Sequence, residues 1–227
     1  MLRQTGICAA LALTLASPIF AQDRDAQIDA LYDALGLPEI LLVMQEEGIG
    51  YGEELGLEML GGVSGDWRKA VLVIYNLQTM NEEVRGAFGE AIMDDEIEIM
   101  LDFFGSDRGQ EIIQLEVTAR RAMLDEAVEE ASKEASALQV MDETPRYLAV
   151  REFVETNDLI ESNVVGALNS SYAFYMGLID GGVMPPGVDA ESALQDVWAQ
   201  EPDIRANTTE WVYAFLLLVF GKMDMDG

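Results

Sequence analysis

Apolar residues recur three and four apart along almost the whole chain, and no run alternates apolar with polar in the period of two that a half-buried strand requires. Ile28, Leu31, Tyr32 and Leu35 form one such stripe, closed by Gly36. Pro38 then fits the first turn of a second helix, where its missing N–H would have had no partner. The period continues through Trp67, Val71, Ile74 and Leu77, through Val84, Phe88 and Ile92, and through Ile97, Met100, Leu101 and Phe104. Ser106 is placed to cap a long helix from about 107 to about 139, whose Ile113, Val117, Leu124, Val128, Ala131, Ala135 and Leu138 keep one side apolar. Glu116 with Arg120, and Glu129 with Lys133, stand in the favourable i,i+4 order on its solvent side. Thr144 before Pro145, then Asp158, then Asp189 mark further helix starts, and Asn207 with Glu210 has the spacing of a capping box. The longest apparent linker is Gly181 to Val188, with Pro185 and Pro186. This pattern predicts an all-α fold, a multi-helix bundle of roughly eight to ten helices in one domain over residues 22–227, with a C-terminal helical layer at 145–227.

Two segments fit less easily. Gly48, Gly52 and Gly56 stand four apart, with Gly50 among them, inside what should be the second helix, and each helical glycine costs about 1 kcal/mol relative to alanine. Either the helix breaks there or a neighbour approaches its bare face; the spacing favours a break or irregular turn. Trp211 to Phe220 is apolar on every side and too short to span a bilayer, so it should be buried all round or serve as a docking helix.

Residues 1–21 read as a secretory signal: Arg3 supplies the positive start, Ile7 to Leu15 the short apolar stretch, and Ser17, Pro18 and Ala21 the end, with cleavage expected after Ala21. The sole cysteine, Cys8, lies within it, so the expected mature chain has no thiol. It also loses Arg3, leaving 12 basic residues against 42 acids, a net charge of −30 over 206 residues. Such a chain repels phosphate backbones and anionic lipid and offers no basic patch, which excludes nucleic acid as a partner; no membrane span is expected after the signal is removed. An apolar content of 50% argues against disorder. Periplasmic residence follows from the signal.

The chain has no His. Without imidazole or a mature thiol, Ser-His-Asp and Cys-His triads, zinc or copper sites built on N and S, and thiol redox chemistry lack their groups. No phosphate-binding glycine loop is complete, and no Ser stands three residues before a Lys. Carboxylates survive. Asp94, Asp95, Glu96 and Glu98 are the densest cluster, and read as an acidic first helical turn complementing the dipole rather than as a calcium loop, which would need a loop Gly and a terminal Glu. The Asp224-Met225-Asp226-Gly227 terminus resembles only a fragment of such a loop. No cofactor and no metal site is expected, and a weaker reading, buffering of divalent cations by the acidic surface, stays open.

The candidate site is a set of polar residues embedded in apolar helices: Glu161, Asn163, Asn169 and Tyr172 on one segment, and Trp198, Gln200, Glu201, Asp203 and Arg205 on the next. Buried, they would need partners, and Arg205 is a natural mate for a carboxylate. They either line a cleft or form an interhelical network that fixes packing.

The run Phe103-Phe104-Gly105-Ser106-Asp107-Arg108-Gly109-Gln110-Glu111-Ile112 resembles the aromatic-aromatic-x-Ser-x-x-Gly signature of the domain-of-unknown-function 2059 family of exported bacterial proteins, within a motif region at 94–135. The stretches 166–175 and 196–205 resemble a marine-type branch of it. The resemblance implies a periplasmic, all-helical protein without an assigned reaction. The motif reads physically as a helix ending in aromatics, a Ser cap, and a Gly permitting close approach. The expected function is a binding or scaffolding module for an envelope protein or small ligand, more in keeping with the residue inventory than an enzyme. The alternative is a carboxylate-based hydrolase of envelope glycan with Glu161 or Glu201 as acid, which needs one desolvated carboxyl.

Overall fold

The computed structural model describes residues 18–182, 184–185, 187–221 and 223. Most of the expected signal, Cys8 and the Asp224–Gly227 terminus lie outside the described residues. Among those described, the chain is an all-α multi-helix bundle without strands. Its helices are α1 (Pro18–Ala34), α2 (Leu37–Leu60), α3 (Gly65–Ile74), α4 (Leu77–Ala91), α5 (Asp94–Phe104), α6 (Asp107–Ala122), α7 (Glu126–Met141), α8 (Pro145–Thr156), α9 (Leu159–Asp180), α10 (Ala190–Ala199) and α11 (Glu201–Phe220). None is long and apolar enough to cross a membrane. The chain divides into two compact units, 1–113 and 114–227.

In the first unit the stripe on α1 does what its spacing predicts. Ile28 and Leu31 are fully buried against Ile97 of α5, with Phe88, Ile92, Met100 and Phe104 packed around them. Each such side chain contributes about 1.5–3 kcal/mol by leaving water. Arg24 fastens the edge of this core: it pairs with Asp94 at 2.5 Å and donates to the carbonyls of Gly89 and Ile92 as α4 ends. The acidic cluster is the first turn of α5, where the Glu96 carboxylate accepts the Met93 N–H, so the dipole reading describes its place.

The expected break at Gly48–Gly56 is overturned. α2 runs unbroken for 24 residues, and Tyr75, Val71 and Trp67 lie directly on Gly48, Gly52 and Gly56. A Cβ on Gly52 would stand 2.7 Å from a Val71 methyl, and one on Gly56 would stand 2.6 Å from the Trp67 indole nitrogen. The two four-residue registers match, so absent side chains on one helix receive large ones from the other. Trp67 Nε1 donates to the Gly52 carbonyl at 2.7 Å, and Gln45 donates to the Tyr75 carbonyl at 2.6 Å. Ile74, expected on the same stripe as Trp67 and Val71, is exposed instead; α3 ends there and Asn76 caps α4.

The helix expected from 107 to 139 is two. After Ala122 the chain turns, and the Asp125 carboxylate accepts the Ala127 N–H to start α7, a competing local bond that ends helical continuity. At its start the motif folds as its chemistry suggests. Phe103 and Phe104 meet edge to face at 5.0 Å, and Ser106 Oγ accepts the Gly109 N–H at 3.1 Å while donating to the Phe103 carbonyl at 2.6 Å. A Cβ on Gly109 would collide with that carbonyl and stand 2.6 Å from Phe104 Cα. Gln110 adds a clasp unforeseen from the sequence, donating to the carbonyls of Ala34 and Phe104 and so tying the ends of α1 and α5.

In the second unit, Val150 and Val154 of α8 pack on Val212, Leu216 and Leu217 of α11. Arg146 holds the end of α11 by donating to the carbonyls of Phe220 and Met223. Val164 and Leu168 of α9 form a further cluster with Val197 of α10. α11 begins at Glu201–Pro202, so Asn207 and Glu210 sit inside the helix rather than capping it. Of the Trp211–Phe220 run, Val212, Ala214, Leu216, Leu217 and Val219 are buried and the others partly so, the all-round burial expected of it.

Candidate functional site

The structure gathers three of the nine candidate cleft residues into one cluster. Arg205 donates through Nε to Glu201, one turn before it on α11, at 2.5 Å, and through NH2 to Glu161 in the first turn of α9 at 2.8 Å. The hydrogen bond to Glu161, then that to Glu201, raises the guanidinium pKa further above its ordinary value. Each carboxylate faces a cation instead of an apolar wall, an arrangement that clamps α9 to α11.

The other six have separate surroundings. Asn163 donates to the Leu159 carbonyl and Gln200 to the Asp196 carbonyl, each one turn back on its own helix. Asn169 and Asp203 are exposed. Tyr172 packs against the Val164–Leu168–Val197 cluster. Trp198 is 59% exposed on α10. The constellation therefore holds helices together at Arg205, adds Tyr172 to a core cluster, and turns Asn169, Trp198 and Asp203 to water.

Concave space lies along the contact between α7 and α11. α7 turns buried Ser132 and Ser136 towards Ala214 and Leu217 of α11. Small residues here bring the helices close, and a groove opens on either side. One, of about 540 Å³, is lined by Val128, Ala131, Ser132, Ala135 and Gln139 of α7 and by Ala214, Leu217 and Leu218 of α11. The other, also of about 540 Å³, is lined by Ala137, Val140 and Met141 of α7, Tyr147 of α8, and Ala206, Thr209 and Tyr213 of α11. Both fall in the size range of ligand clefts, and both are mainly apolar with a few polar groups.

The second groove continues past Lys133 and Glu210, which also line a polar hollow with Glu129, Asn207, Thr208 and Trp211. Lys133 pairs with Glu129 at 2.8 Å and Glu130 at 3.6 Å. The hydrogen bond to Glu129, with the charges of Glu129, Glu130 and Glu210, raises its ammonium pKa. At the apolar end the Tyr147 and Tyr213 rings lie 5.5 Å apart, and burial pushes the Tyr213 phenol up. Trp211 is sandwiched, its indole stacked on Phe215 at 5.1 Å and covered by the Arg120 guanidinium at 4.9 Å.

These grooves left little mark in the sequence because the first is floored by alanine and serine, residue types that carry no chemical signature, and the second by side chains that read equally as ordinary packing. The available signal was the pairing of Ala131-Ser132 with Ala135-Ser136 one turn on, which marks a helix face shallow enough for close approach. Among the described residues no group of three or more acidic side chains is arranged to hold a metal ion. No family model, no curated protein and no solved structure matches the chain.

Proposed function

We propose that this chain is an exported helical binding module, of the kind implied by its resemblance to the domain-of-unknown-function 2059 family, and that it holds a partner in the grooves beside the α7–α11 contact. The observation that carries the reading is the pair of mainly apolar grooves of about 540 Å³ on one packed helix pair. The inventory of side chains agrees with it: no His, no thiol beyond Cys8, and the carboxylates Glu161 and Glu201 engaged with Arg205. Export is compatible with the described core, in which Ile28, Leu31 and Tyr32 of α1 stand after Ala21. N-terminal sequencing of chain recovered from the periplasm should read from Gln22.

The binding reading is tested by immobilising the mature chain, passing envelope extract over it, and repeating with Ala135→Trp and Ala137→Trp, which fill the two grooves from positions exposed on α7. A partner should be retained by the wild type and lost when the groove that holds it is filled. Retention of the same proteins by the wild type and by the doubly filled variant sinks the reading, as does an empty eluate from a folded, monomeric wild type.

A further inference from the structure

We infer that the groove on the Tyr147–Tyr213 side takes a cationic amphipathic helix from another protein; this rests on the binding reading above and names its partner class. The groove is long rather than round. From Glu129 to Met141 it follows α7 for about 18 Å at 1.5 Å per residue, room for roughly three turns of a helix laid alongside.

Its floor and rim differ in kind. Ala137, Val140 and Tyr213 offer an apolar trough in which leucine-sized side chains at helical spacing can lie. Glu129 of α7 and Glu210 of α11 line its polar end, Glu130 shares Lys133 with Glu129, and Glu126 and Glu134 are exposed on the same helix α7. Lys133 is already shared between Glu129 and Glu130, and the two arginines that lie over groove-lining rings, Arg120 on Trp211 and Arg151 on Tyr147, still leave these acids in the majority. Lysines or arginines flanking the apolar face of a bound helix would meet this surplus of negative charge, whereas an acidic helix would be repelled.

Among the described residues a second copy of the chain has no such helix to offer. The most basic described helix is α3, whose Arg68 and Lys69 against Asp66 leave it only +1, and the whole chain carries −29. Anionic membrane is repelled by the same charge. A cationic partner segment is the occupant that fits both floor and rim.

The test uses the full chain and an 18-residue designed helix of leucine and lysine, with a leucine–glutamate counterpart, followed by fluorescence anisotropy at physiological salt. The lysine peptide should bind and the glutamate peptide should not. Ala137→Trp and the double variant Glu130→Lys/Glu210→Lys should each weaken binding at least tenfold. Glu82→Lys/Glu83→Lys, which changes net charge equally on α4 of the first unit, should leave it within twofold. Circular dichroism confirms that each variant folds. Equal weakening by the two double variants would mean that the overall field alone attracts the peptide, and overturns the inference. Indifference to Ala137→Trp, or absence of binding, overturns it too. If envelope extract instead yields an acidic partner that the tryptophan variants displace, the groove reading stands and this one falls.

Discussion

Ser106 shows how much one hydroxyl can do at a helix junction. Its oxygen accepts the Gly109 N–H and its proton goes to the Phe103 carbonyl, so α5 is closed and α6 is opened by the same atom. Ser106→Ala should therefore cost about 0.5–2 kcal/mol, the usual range for a lost N-cap, read as a shift in the urea midpoint. Gly109→Ala should cost more, because its new methyl meets backbone atoms that cannot rotate away. A Ser106→Ala chain as stable as the wild type would remove the cap from the account. Glu116, on α6, offers a test with a definite sign. Expected on the solvent side, it is half-buried, and desolvation raises its carboxyl pKa above the ordinary 4.5. The folded state then holds the proton more tightly than the unfolded state. Stability from this group is therefore greatest below pH 4.5 and is lost as pH rises through the raised folded value. Glu116→Gln should be more stable than the wild type at pH 7, with the difference shrinking towards pH 4. A difference independent of pH, measured by urea titration across that window, would contradict this cause.

At the scale of helices, the glycines of α2 decide how α3 docks, and they are not equivalent. Gly52 lies under Val71, whereas a Cβ on Gly50 would meet nothing within 4 Å. Gly50→Ala should stabilise by up to about 1 kcal/mol through helix propensity alone. At Gly52 the same gain is opposed by overpacking of about 1–3 kcal/mol, so Gly52→Ala should be neutral to destabilising by about 2 kcal/mol. Thermal unfolding of the two variants side by side checks the contrast, and equal stabilisation would mean that α3 does not press on α2. The same pair marks a limit of sequence reading. The period of three and four placed Ile28, Leu31 and Ile97 in the core correctly, because burying one face of a helix leaves that period in the chain. It could not decide whether four-spaced glycines break a helix or bare it, since the answer resides in the matching spacing of Trp67, Val71 and Tyr75 on another element. Nor could it see that Asp125 would stop a helix whose apolar side runs on through Val128 and Ala131. The candidate site suffered similarly: Arg205 found its carboxylates, as charge alone suggested, but the grooves depend on how closely α7 and α11 approach, which no single residue advertises.

The whole molecule is dominated by charge of one sign. Thirteen basic residues face 42 acids, and the surface pairs Arg24–Asp94, Arg85–Asp29, Lys133–Glu129 and Arg205–Glu161 occupy several of the cations, so acids remain in large surplus. Folding brings these acids closer together than the unfolded chain does, so self-repulsion subtracts from stability. Salt acts on both contributions. It weakens the exposed attractive pairs, which are worth little individually, and it screens the long-range repulsion summed over a surplus of 29 charges. The second should win, because the screening length shrinks from about 30 Å at 0.01 M to a few ångströms near 1 M and removes nearly all distant repulsions. Calorimetry between about 0.01 and 0.5 M NaCl should show Tm rising by several degrees, on the scale of roughly 2–4 °C per kcal/mol for a chain of this size. Replacing exposed acids away from the ion pairs, Glu134→Gln with Glu152→Gln, should raise Tm at the lowest salt and change it little at the highest. If Tm instead fell steadily with added salt, the scattered ion pairs would outweigh the collective repulsion, and stability would have to be ascribed to those pairs rather than to the apolar clusters.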